Sequence, residues 1–201
     1  SPNAPFEFYR FQVNPVPLCY GSSELLQQAA AVAVYKAEQS QGIKRHSVRW
    51  LGALRLLVLS LLVAAFCHAW WKRGLWPAAL ANAVVFAAVL SDPANTMYFN
   101  TFYAEATALV AAYALFNLVL LYAQSARSRS GMLLLALAAL LLATSKIQHL
   151  VLPLCLAVGV LAFGPWHAGR WPWQGWAMLA GPVLGTAFQS AQLARDDTMM
   201  S

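Results

Sequence analysis

Apolar residues run through most of this chain in long blocks, and polar residues gather in short stretches between them. The first block extends from about Trp50 to Trp71, with tryptophans at both ends as in the aromatic belts of membrane interfaces. Lys72, Arg73 and Gly74 make a tight turn into a second block, Leu75 to Leu90. The stretch SDPANTMYFNTFYAE, residues 91–105, is the only long polar segment between blocks. A third block, Glu105 to Ala123, is followed by the basic loop QSARSRSG at 124–131. From Met132 to Phe163 the chain is almost continuously apolar. At about 1.5 Å per residue this stretch would make a helix of about 48 Å, too long for a hydrocarbon core of about 30 Å. It is therefore split at Ser145-Lys146 into spans 132–144 and 148–163. GPWHAGRWPWQG, residues 164–175, reads as an interfacial loop, and 176–190 as a further span.

Residues 1–46 follow a different pattern. Pro2, Pro5, Pro15 and Pro17, interleaved with Phe6, Phe8, Tyr9 and Phe11, block a helix and predict extended chain or loop. Ser22 or Ser23 then caps a helix running to about Gln41, which Gly42 ends. Leu25, Leu26, Ala29, Val32, Ala33 and Tyr35 give that helix a broad apolar side, and Gln27, Gln28, Lys36, Glu38 and Gln39 stay polar. The pattern predicts an amphipathic helix at the membrane surface or packed on other spans. An ordinary soluble cap is the alternative.

Composition supports the same class. The 201 residues are 60% hydrophobic and 10% charged, where a soluble domain carries roughly a quarter charged residues. This excludes a soluble globular enzyme, a disordered chain and a collagen-like fibre. The expected fold is all-α: a polytopic helical membrane protein of about six spans with an N-terminal amphipathic juxtamembrane helix. Three parts follow: an extramembrane loop and interfacial helix at 1–46, a helical core at 47–190, and the start of a polar segment at 191–201. Asp196 and Asp197, just past the last span, suggest that the native polypeptide continues.

The net charge of +6 does not point to nucleic acid, because the basic residues sit in short clusters beside apolar blocks, with no basic stripe interleaved with aromatics. Cys19, Cys67 and Cys155 have no metal-ligand spacing and do not suggest a disulfide framework. Alternate loops share a side. Lys72, Arg73, Arg127, Arg129 and Arg170 fall together and are assigned to the cytoplasm, opposite the acidic loop at 91–105 and the Lys146 turn. Lys44, Arg45, Arg49 and Arg55 conflict with that assignment, although they follow a long extramembrane segment where the rule weakens.

The acidic loop is the first candidate for chemistry. Of seven acidic residues in the chain, Asp92 and Glu105 bracket a segment holding Asn95, Thr96, Tyr98, Asn100, Thr101 and Tyr103. Carboxylates, amides and phenols bind sugars or hold a divalent metal against phosphate oxygens. Alternatively, Asp92-Pro93 is a turn with an N-cap, and Glu105 a first-turn acid favoured by the helix dipole. Lys146, with Gln148 and His149 beside it, is the second candidate. A lone cation at the membrane–water boundary suits a lipid phosphate, and a snorkelling lysine in a hairpin turn is the plainer alternative. His68 and His149 lie near opposite ends of spans and make a poor haem pair. No nucleophile elbow, phosphate-binding loop or zinc-protease motif occurs.

In order, these features are an outer loop opening on Asp92-Pro93, a span ending Leu121-Tyr122, the basic loop ARSRSG, and a Leu/Ala-rich span ending ATSK that leads into L-x-L-P-L. This order resembles the membrane core of GT-C type, polyprenyl-phosphate-sugar-dependent glycosyltransferases over roughly residues 75–163. The chain has Ser145 where that family commonly has Thr before the Lys. The family's catalytic acid lies in the first outer loop. Residues 1–46 look like the tail of such a loop without a recognisable acid motif, so the catalytic base is expected outside this chain. The resemblance implies a multi-pass protein of the bacterial inner membrane that moves a sugar from a polyprenyl-phosphate donor to an acceptor on the outer face. It gives Asp92 and Glu105 catalytic positions in a loop that holds a divalent metal in some members. It gives Lys146 the approach to the lipid phosphate; His149 beside it, and Tyr98, Asn100 and Tyr103 in the acidic loop, complete the expected binding of the lipid-linked sugar. The expected partners are membrane lipids and that donor. A second reading is a non-catalytic membrane subunit packing against partner membrane proteins through small residues such as Ala78, Ala79, Ala111, Ala112 and the G-x-x-x-G pair Gly181 and Gly185.

Overall fold

The computed structural model describes residues 8–9, 22–43, 46–90, 105–123, 128–168 and 173–200. Among these the chain is helical apart from one small ladder, in which β1 (Phe8–Tyr9) pairs antiparallel with β2 (His46–Ser47). The helices are α1 (Glu24–Ser40), α2 (Arg49–Lys72), α3 (Trp76–Val85), α4 (Glu105–Tyr122), α5 (Arg129–Ser145), α6 (Val151–Ala168) and α7 (Trp173–Met200). A π-helical turn, Phe86–Leu90, extends α3, and a 3₁₀ turn, Ile147–Leu150, leads into α6. The chain divides into two compact units, one of residues 1–17 and 24–106, the other of 18–23 and 107–201.

In the first unit, α2 is the one described helix long and apolar enough to cross a membrane. Its 24 residues span about 36 Å. One face, Leu51, Leu59, Val63, Phe66 and Trp70, is buried at helical spacing, and the opposite face exposes Leu54, Leu57 and Leu61. The turn into α3 closes with Leu75 N–H donating to Trp70 O at 3.1 Å and Gly74 N–H to Trp71 O at 2.9 Å. Gly74 takes φ +71°, which a side chain would strain. Gly42, at φ +80°, ends α1 in the same way.

α1 occupies nearly the range its sequence predicts, but at its start the polarity is turned inward. Glu24 is buried and ion-paired with Arg55 of α2, whose Nε also donates to Gln27 Oε1 at 2.5 Å. Leu25 and Leu26 are exposed. Arg55 is therefore a neutralised residue within α2, and it drops out of the basic residues that conflict with the expected orientation.

In the second unit, α7 packs along α5 and α6. Gly181 lies against the backbone of Ala139 so closely that a Cβ there would come within 2.5 Å of Ala139 C, and Gly185 sits against Ala143 Cβ. The small-residue pair predicted as a site for partner subunits is thus engaged inside this chain. Tyr122, at the end of α4, meets Trp173 edge to face at 5.9 Å, and Gln174 donates to Tyr122 O at 2.6 Å.

Three predicted boundaries shift. α5 starts at Arg129, because Ser128 Oγ accepts from Gly131 N at 3.0 Å and caps the helix three residues earlier than expected. α6 continues through Gly164-Pro165 to Ala168, where the sequence predicts a loop, although Pro165 can make no i→i−4 bond of its own. α7 runs to Met200, beyond the expected end at 190, because QLARDDTMM is polar but contains no Gly or Pro to stop it.

Candidate functional site

The apolar stretch 132–163 breaks where its length requires. Lys146 alone is extended, at φ −154° and ψ 152°, between the last turn of α5 and the 3₁₀ turn that opens α6. A helix that ends inside apolar surroundings leaves carbonyls needing donors. Here every carbonyl from Leu141 to Thr144 receives one. Ser23 Oγ donates to Leu141 O at 2.8 Å, and Ser23 N–H to Thr144 O at 3.2 Å. Ser145 Oγ donates to Leu142 O at 2.7 Å, and Gln189 Nε2 to Ala143 O at 3.3 Å. The donors come from the segment before α1, from α5 itself and from α7. The break is thus held by specific partners, which distinguishes it from a frayed end.

Ser145 also fixes His149. Its Oγ lies 2.8 Å from His149 Nδ1. The single hydroxyl proton points to Leu142 O, so Oγ accepts from the ring, and Nδ1 carries the hydrogen. In the neutral ring Nε2 is then an acceptor, and protonation makes it a second donor. The backbone closes the same turn, His149 N–H donating to Lys146 O at 3.0 Å. Lys146 and His149 are both partly exposed, whereas Ser145 is buried. The C-terminal dipole of α5 favours a cation beside it. The break thus carries Lys146 and, one 3₁₀ turn later, an imidazole oriented by Ser145.

Of the predicted site residues, then, Lys146 and His149 come together. Glu105 is the first residue of α4, a first-turn acid as its alternative reading has it, but its side chain lies outside what is described. Asp92, Tyr98, Asn100 and Tyr103 lie outside the described residues, and so does the expected convergence of the acidic loop on Lys146. Among the described residues no group of three or more His, Cys, Asp and Glu could hold a metal ion. Sequence reasoning did not single out Ser23 or Gln189 as partners of the break, because their contacts with α5 join distant parts of the chain. In the sequence Ser145 is no more than the point of division.

A family model described as the YfdI N-terminal transmembrane domain matches residues 6–168, from the N-terminal segment to the end of α6, and leaves α7 outside. No curated protein and no solved structure matches the chain.

Proposed function

The chain belongs to the YfdI N-terminal transmembrane domain family, and from that premise we propose that it is the multi-pass core of a membrane glycosyltransferase, moving a sugar from a polyprenyl-phosphate donor to an acceptor on the outer face of a bacterial inner membrane. The observation that carries the reading is the built break at Lys146. A lysine between two apolar helices is costly unless it serves a site. The surrounding hydrogen bonds keep the break open at that residue and hold His149 beside it.

In this reading Lys146 binds the donor phosphate and stabilises the charge that develops as the bond from the anomeric carbon to the phosphate oxygen breaks. His149 adds a second polar contact through Nε2. A carboxylate takes the proton of the attacking acceptor hydroxyl, and the sugar is transferred with inversion. Asp92 and Glu105 are the proposed shapers of the donor site, with Tyr98, Asn100 and Tyr103 on the sugar. A further acid supplied from outside this chain is the proposed base. No step is assigned to a metal. The rival reading, a non-catalytic subunit, is weakened where it was most specific, because Gly181 and Gly185 are engaged by α5 of the same chain.

The test is donor binding. Protein in detergent micelles should bind polyprenyl phosphate and ignore polyprenol, and Lys146→Ala should lose most of that preference. Equal binding of both lipids would refute the reading.

A further inference from the structure

The polarity at the start of α1 is inverted relative to a helix covered by water. Glu24 is 2% exposed and its partner Arg55 is 1% exposed, yet the residues next to them are bare: Leu25 at 45%, Leu26 at 68%, Leu54 at 37% and Leu56 at 43%. In the first part of α1, Glu24 and Gln27 turn toward α2, whereas Leu25, Leu26, Ala29 and Ala33 are exposed; beyond them the exposed residues include the polar Lys36, Gln39 and Ser40. In water this would desolvate a charge pair while leaving leucines wet, wrong on both counts. In hydrocarbon it is the expected arrangement, polar groups satisfied inward and apolar groups outward.

We propose that α1 lies within the bilayer's interfacial layer with Leu25, Leu26, Ala29 and Ala33 against lipid acyl chains, held there by the Glu24–Arg55 pair and Gln27. Lipid is the occupant, and not a protein partner, because α1 is tied by Glu24 and Gln27 to α2, the described helix long enough to span, which itself bares leucines, in a chain of a transmembrane domain family. Depth follows from position. Arg55 is six residues into α2, about 9 Å along its axis, which matches the roughly 5–10 Å to which interfacial helices bury their apolar face. Arg55 at that depth needs a counter-ion, and α1 delivers it. This inference does not depend on any transferase activity.

The experiment places an environment-sensitive fluorophore on Leu26→Cys, and separately on Ala33→Cys, in a background with Cys19, Cys67 and Cys155 replaced by Ala. The protein is reconstituted in phosphatidylcholine vesicles, with Arg129→Cys as the water-facing reference. Nitroxides high on the acyl chain should quench positions 26 and 33 more than nitroxides near the chain end, and aqueous iodide should quench position 129 most. Glu24→Ala should shift quenching at 26 from lipid nitroxide to iodide. If that variant does not fold, the exchange Glu24→Arg with Arg55→Glu carries the test and should keep the lipid quenching. The proposal is overturned if iodide dominates at 26 and 33 in the parent protein. It is overturned equally if neither agent quenches and position 26 crosslinks between two copies, or if lipid quenching is unchanged in folded Glu24→Ala or lost in the folded exchange variant.

Discussion

Ser145 Oγ and His149 Nδ1 lie 2.8 Å apart, and because the hydroxyl gives its proton to Leu142 O, the imidazole must be the donor between them. One buried side chain thus caps a helix carbonyl and sets a histidine's tautomer. Ser145→Ala removes both contacts and leaves Leu142 O short of a donor. The expected loss is about 1–3 kcal/mol of stability, read as a lower melting temperature in detergent. Ser145→Thr keeps the hydroxyl and should lose much less.

The contact of α5 with α7 predicts a graded glycine series. Gly181→Ala forces its methyl into Ala139 and should cost about 1–3 kcal/mol. Gly185→Ala approaches Ala143 Cβ to 3.0 Å but its backbone only to 3.5 Å, and should cost less. Gly159 has nothing within 4 Å, so Gly159→Ala should be neutral or stabilising by up to about 1 kcal/mol, the usual helix preference of Ala over Gly. Thermal unfolding of the three variants in one detergent checks the order.

Breaking the buried pair of α1 and α2 should be severe. Arg55 left without Glu24 is a desolvated charge, and Glu24→Leu should cost about 3–5 kcal/mol. Glu24→Leu combined with Arg55→Leu removes both charges and should recover most of that loss, since an apolar pair can replace a buried ion pair at little cost. Chemical denaturation of the parent, the single variant and the double variant measures the recovery.

Much of this architecture was legible in the sequence, and the unread part shares one cause. The tryptophans bracketing α2, the turn at Gly74 and the division of 132–163 follow from local composition and a length limit, and the structure has each of them. The sequence pattern of α1 defines two sides without saying which looks inward, because that depends on Arg55, distant along the chain. Ser23 and Gln189 were equally invisible, since a lone polar side chain in an apolar protein reveals no partner until the helices pack. Gly164-Pro165 reads as a stop in the sequence, yet α6 runs through it to Ala168.

The proposed alternation of loops predicts that positions 100 and 128 lie on opposite sides of the membrane. With single cysteines at Asn100 and Ser128 in a cysteine-free background, a membrane-impermeant maleimide added to intact cells should label position 100 alone. Labelling of both from outside would contradict the proposed assignment of loops.

The most direct test of the proposed function is transfer of a labelled sugar from polyprenyl phosphate by the full-length protein in its membrane. Lys146→Ala should lower turnover on the order of a hundredfold or more, the scale of losing one charge-stabilising donor. Asp92→Asn should lower turnover while changing stability by no more than about 1 kcal/mol. A correctly folded double variant, Asp92→Asn with Lys146→Ala, that transfers sugar at the parent rate would contradict the account.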